Sequence, residues 1–267
     1  MNQIKQLKLY FISNDTYLNV FGGSYHLLRE TIKSMIHKPL PYHLIMDQVY
    51  QIGLRSLPLV LITILSIGMV MALQFGIGLE KFGGKIYVPK IVSLSIIREL
   101  GPVFTGIMVA ARIGSGITSE IGSMVVTEQI DAMRALGTSP IRRIVLPRII
   151  GCFIALPILA VFANSIGVIG GLIVGVNDLG IDPLFYMQKV YATIKLPDYI
   201  TGLVKTLFFS FMISIPACYF GLNIKGGTKG VGKATTQSVV FSSITIMIAD
   251  YVLTKALWVM EQWASSM

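Results

Sequence analysis

The chain has 267 residues, 54% of them hydrophobic and only 13% charged, where a soluble domain carries about 25% charged residues. A mean hydropathy of +0.72 points the same way, so composition excludes an ordinary soluble globular domain. The formal net charge of +9 does not imply nucleic acid, because no basic run is interleaved with aromatics on a soluble module; basic loops on one membrane face account for it.

The N-terminal stretch MNQIKQLKLYFISN has no apolar core region, no small-residue cleavage site and no Arg- and Ser-rich composition. It is read as neither a signal peptide nor a transit peptide, and insertion is expected to rely on the spans themselves. Residues 1–55 are expected to form an interfacial amphipathic region. Leu28, Ile32 and Met35–Ile36 recur at helical spacing with Arg29, Glu30 and Lys33 between them. In PYHLIMDQVYQIGLRSLP, Leu44–Ile45, Val49 and Ile52 fall on one side. Both segments predict helices lying in the membrane interface, and Pro58 marks the start of the first span.

A charge-free run of about eighteen residues or more reads as a transmembrane helix. Residues 56–79, 149–177 and 206–224 meet that test. Two more apolar regions are interrupted by isolated charges: 91–119, with Arg98, Glu99 and Arg112, and 234–257, with Asp250 and Lys255. The expected fold is therefore an all-α membrane protein of five spans, at about 56–79, 91–119, 149–177, 200–224 and 234–257. Lys and Arg exceed Asp and Glu in residues 1–55 and in loop 225–233, which predicts that these segments and the centre, 120–148, face the cytoplasm or stroma. Loop 80–90, with three Lys and one Glu, dissents.

The centre reads TEQIDAMRALGTSPIRRIVLPR, from Thr127 to Arg148. Thr127 is a plausible N-cap, and Glu128 and Asp131 suit the positive end of a helix dipole. Asp131 and Arg134 are spaced to pair, and Gly137 with Pro140 ends the helix. A helix of about ten residues is too short to stand alone. It needs the membrane surface, its own bundle or a partner; an interfacial loop helix and a docking helix both remain open.

Gly167, Gly171 and Gly175 lie four apart in the third span, a spacing that lets helices approach closely. Packing within the chain is favoured over a homodimer seam. Cys152 and Cys218 lie in apolar spans and are expected in the core, without a disulfide. GTKGVGKA at 227–234 nearly matches a phosphate-binding loop. It has Ala234 where Ser or Thr would hold magnesium, and it joins two spans rather than a strand to a helix. It is read as a basic, Gly-rich turn. All three histidines, His26, His37 and His43, precede the first span, which removes intramembrane zinc and Ser–His chemistry.

Ionisable groups within spans are costly and mark functional sites. Counting from the outer surface at 1.5 Å per residue puts Glu99, Lys205 and Asp250 all roughly 8–12 Å deep. Two acids and a base at one level can pair. The cluster is either a polar transport path or a structural ion-pair network.

RELGPVFTGIMVAARIGSGITSEIGSMVVTEQIDAMRALGTSPIRRIVLPR closely resembles the signature of the MlaE (YrbE) permease family, which includes the plastid TGD lipid permease. IGLRSLP at 52–58, ALQ at 72–74, GGTKGVGKATT at 226–236 and DYVLT at 250–254 add to the resemblance, which extends from about residue 45 to the C-terminus. The resemblance implies a permease domain over 56–260 and an amphipathic elbow helix before the first span. It implies a membrane subunit of a lipid-moving ABC transporter that works as a homodimer and is not itself an enzyme. A separate ATPase subunit would bind ATP and Mg, so this chain needs no cofactor. An MCE-domain protein would collect lipid on the far side. Residues 127–137 become the coupling helix, with Glu128, Gln129, Asp131 and Arg134 as the ATPase contacts. Glu99, Lys205 and Asp250 match polar positions in the family's spans.

The leading expectation is an ABC permease subunit for a lipid, phospholipid before sterol, in a bacterial inner membrane or plastid inner envelope. Membrane lipids are its partners and nucleic acid is not. A stand-alone secondary carrier using Glu99, Lys205 and Asp250 as ion or proton sites is the alternative, and a membrane scaffold is a third. Inverted repeats would favour the carrier, and none is visible.

Overall fold

The computed structural model describes residues 14–36 and 40–265; the N-terminal stretch read above for targeting signals (residues 1–13), and His37, lie outside them. Two helices, α1 (Asn14–Ile36) and α2 (Tyr42–Gly53), precede α3 (Leu57–Glu80), the body of span one. Span two is α4 (Val88–Ser95), α5 (Gly101–Val109) and α6 (Ser115–Val126), joined by π-helical turns at Ile96–Leu100 and Ala110–Gly114. The short α7 (Gln129–Ala135) follows, then a third π-turn (Ile141–Val145) and α8 (Leu146–Asn177), span three. After α9 (Pro183–Thr193) come α10 (Leu196–Leu222) and α11 (Gly227–Ser265), spans four and five. Five helical stretches are long and apolar enough to cross a membrane, and no strand occurs among the described residues. The protein is an all-α membrane protein.

Span three is the axis of the bundle. In its most apolar stretch 67% is buried, against 22% in span five and 28% in span one. Its glycines let neighbours come close. A Cβ on Gly68 of span one would overlap the carbonyl of Gly167, and one on Gly171 or Gly175 would strike Tyr186. The glycine stripe thus packs within the chain, and Tyr186 of α9 fills the groove it leaves. The sequence pattern missed α9, which lies in the expected loop 178–199. The carboxylate of Asp182 caps it, accepting from the Phe185 N–H at 2.8 Å, and Pro183 supplies a preset first turn. Cys152 and Cys218 are free and buried.

The end carrying α7, which the charge of the loops predicts to face the cytoplasm or stroma, is called the inner end, and the end carrying α9 the outer. At the inner end α2 buries Ile45 and Ile52, with Leu44 and Val49 half-buried, as its periodicity requires. In α1 the buried face is Val20, Leu27 and Thr31. The expected stripe differs: Ile32 and Met35 point away from the bundle, because tight packing of Gly23 under the Tyr219 ring sets the rotation of the helix. The segment 227–234 is not a turn. Gly226 and Gly227 have positive φ, and the helix of span five starts there, so the amides that a phosphate-binding loop would present lie within helical turns.

Candidate functional site

Two features of the bundle carry charge in an organised way, one in the outer half and one at the inner end. In the outer half, Lys205 of span four is fully buried, and its ammonium is ringed by oxygen. It donates to Glu99 of span two, to Asp250 Oδ1 of span five at 3.0 Å, to Thr254 Oγ1 at 2.7 Å and to the Arg98 carbonyl at 3.2 Å. An ammonium has three protons, so four acceptors saturate it. The three residues placed at one depth by counting along the helices are therefore in contact.

The network reaches further than that count. The Arg98 guanidinium bridges Asp198 Oδ1 at 3.1 Å and Glu261. Two cations thus face four carboxylates drawn from three spans. Span four begins at Leu196, not near 200, so Asp198 sits in its first turn and also accepts from the Lys195 N–H at 2.9 Å. Span five runs on to Ser265, past the expected end near 257, and this brings Glu261 in. Spacing alone held the signal. Asp198 is seven residues before Lys205, and Asp250, Thr254 and Glu261 follow at steps of four and seven, each set on one helical face. Glu99 and Arg98 sit in a π-turn, whose extra residue shifts the register of the face around it. Such turns recur at functional sites.

At the inner end, α7 shows a different economy. Ile130 is buried in the main core and Met133 packs against it. Glu128, Gln129, Asp131 and Arg134 are all exposed, as is Leu136. Asp131 and Arg134 pair at 3.0 Å in full solvent view. The expected cap at Thr127 is wrong. Its hydroxyl donates back to the Ser123 carbonyl at 2.9 Å and completes the last turn of span two. The chain reverses one residue later, at Glu128, which adopts a left-handed φ of 59°. The far end is as expected: Gly137 is left-handed, and the Gly137 and Thr138 amides donate to the Arg134 and Met133 carbonyls, a Schellman ending. A cleft of about 480 Å³ lies beside this ending, lined by His26 and Glu30 of α1, Arg134, and Tyr219 and Asn223 at the end of span four.

Two further polar contacts were not foreseen. Arg112, one of the charges interrupting span two, donates to Ser56 Oγ at 2.7 Å. Arg148 is buried and pairs with Glu120 at 2.7 Å. Behind the outer network, Asn164 of span three is buried against Gly101 with neither amide atom hydrogen-bonded.

The family sequence profile described as "Permease MlaE" matches residues 45–256. A probable ABC transporter permease protein of Rickettsia typhi is 44% identical over 227 residues, covering 85% of this chain and 88% of that protein. One of Synechocystis is 38% identical over 81% of each chain. The intermembrane phospholipid transport system permease protein MlaE of Haemophilus influenzae is 34% identical, covering 83% of this chain and 85% of that protein.

Proposed function

The chain belongs to the MlaE family of ABC transporter permeases, and from that premise we propose that it is the membrane subunit of a lipid transporter driven by a separate ATPase. Phospholipid is the preferred cargo, because a similar permease at 34% identity is named for intermembrane phospholipid transport. The membrane is a bacterial inner membrane or a plastid inner envelope, with the inner end of the bundle facing the ATPase.

The observation that carries this reading is α7. A seven-residue helix between spans two and three presents Glu128, Gln129, Asp131 and Arg134 outward and is held by two apolar side chains. A helix that short has little stability of its own, and its polar face fits a soluble partner better than the bilayer. The ATPase binds ATP and Mg and grips this face. Closure of the ATPase dimer rocks α7 in each of two copies of this chain. A cavity between the copies, lined partly by spans one, two and five, then opens or collapses. Spans one and five are the least buried in the single chain and expose Ile62, Val70, Ile77, Ile244, Met247 and Ile248, which suits a face shared with lipid and a second copy. Glu99, Lys205 and Asp250 keep a polar path on the outer side of that cavity, and an MCE-domain protein takes lipid there.

The test is affinity purification of the tagged protein from its native membrane in mild detergent, with an ATPase assay and mass spectrometry of the eluate. An ATP-hydrolysing subunit is expected, and Asp131→Arg should remove it. A lone protein without ATPase activity in several detergents would overturn the proposal and favour a self-sufficient carrier using Glu99, Lys205 and Asp250.

A further inference from the structure

Only three charged side chains are buried among the described residues: Asp198, Lys205 and Arg148. The first two belong to the outer network. Arg148 stands apart, in the first turn of span three at the inner end. Its Nη2 meets Glu120 Oε1 at 2.7 Å and its Nη1 donates to the Ile144 carbonyl at 3.1 Å, while its Nε has no partner. A guanidinium taken out of water needs a reason to stay there, since a buried ion pair is weak evidence for stability by itself.

Its place in the chain supplies one. Glu120 lies in α6, six residues or about 9 Å of helix before span two ends at Val126. Arg148 follows the π-turn that leads into span three. The pair closes the base of the excursion that holds α7. Each leg is also anchored elsewhere. Next to Glu120, the Thr118 hydroxyl donates to the Ala217 carbonyl of span four at 3.0 Å, and Ile121 packs where Gly221 leaves room. Next to Arg148, Gly151 lets α2 approach, so that a Cβ there would meet Gln48 at 2.7 Å. The ion pair therefore ties the inner end of span two, which also packs on span four, to the start of span three, which also packs on α2.

We propose that Arg148 and Glu120 are positioning residues that make spans two and three follow α7 as one unit. This rests on the ATPase-coupled reading above. α7 hangs between two turns, at Thr127–Glu128 and at Gly137–Pro140. A push on it is absorbed there if the two legs can part. With the legs tied at their base, the same push turns both spans, and the displacement reaches the π-turn that holds Arg98 and Glu99. In this role neither residue needs to touch the ATPase or the lipid.

The experiment uses the full complex with its ATPase, reconstituted in vesicles of phosphatidylethanolamine and phosphatidylglycerol. It measures ATP hydrolysis together with transfer of a fluorescent phosphatidylethanolamine. The glutamate is exposed, so Glu120→Gln keeps the fold testable even where Arg148 variants misfold. Glu120→Gln is expected to retain the ATPase subunit and its hydrolysis while lipid moved per ATP falls roughly three- to tenfold. Exchange of the charges, Glu120→Arg with Arg148→Glu, should restore most of that ratio. An unchanged ratio in Glu120→Gln overturns the inference. So does loss of the ATPase subunit in that variant, which would make Glu120 a docking residue, and so does an exchanged pair no better than the single variants. A wild-type complex without ATPase or lipid transfer would instead overturn the proposed function.

Discussion

In the outer half, six charged side chains from three spans are held against one another, whereas the charged side chains of α7 face outward with little behind them. The first arrangement is complete within the chain. Lys205 has its acceptors, and Arg98 has two carboxylates. The second is incomplete: one exposed pair, Asp131–Arg134, and an apolar anchor of two residues. Charge that is buried must be paired by the fold that buries it. Charge on a short, weakly anchored helix is free to be paired by something else. On the proposed function, the difference separates a polar route through the membrane from a surface where force enters.

The sharpest way to break this comparison is at Lys205. Lys205→Met leaves Glu99 and Asp250 facing each other without a counter-ion. The expected loss is about 3 kcal/mol, the lower end of the range for a broken buried pair, because both carboxylates keep some contact with solvent. Unfolding in detergent measures it, and Glu99→Gln added to Lys205→Met should recover part. If Lys205→Met melts like the wild type, the outer network is not what holds the three spans together. Asp131→Arg should behave in the opposite sense. Capture of the ATPase is expected to weaken at least tenfold, about 1.4 kcal/mol, while unfolding changes by less than about 0.5 kcal/mol, as for an exposed site. A large loss of stability there would mean that α7 is part of the core after all. Thr254→Val removes one hydroxyl from the Lys205 shell and should cost about 1 kcal/mol in the same unfolding assay. A null result would show that water takes the place of Thr254. Smallest of all, Arg134→Ala breaks a fully exposed pair and should shift unfolding by less than about 0.5 kcal/mol, with its effect confined to ATPase capture.

Much of this was legible beforehand, for reasons that differ by residue. Glu99, Lys205 and Asp250 could be set at one depth because helical rise is the same in any helix. Arg98, Asp198 and Glu261 could not, because their place depended on where two helices began and ended and on a π-turn in span two. The Asp131–Arg134 pair and the Gly137 ending follow from local spacing. The Thr127 cap failed because its hydroxyl was closer to the carbonyl one turn back than to the amides ahead, and the reversal fell on Glu128 instead. The helix α9 was missed because its apolar content is modest and its stability comes from Tyr186 filling the glycine groove of span three. The tie between Arg148 and Glu120 joins residues on opposite sides of the charged excursion, where no periodicity links them.

The sequence by itself determined five spans, their order, the exposed polar helix between the second and third, and the family. These depend on the transfer of apolar side chains from water and on helical geometry, both of which act locally. Only the tertiary structure decided which charges meet, which glycines receive a neighbour, and which buried arginine has a partner. Those contacts are made between residues far apart in the chain, and their free energy exists only once the helices have packed and water has left.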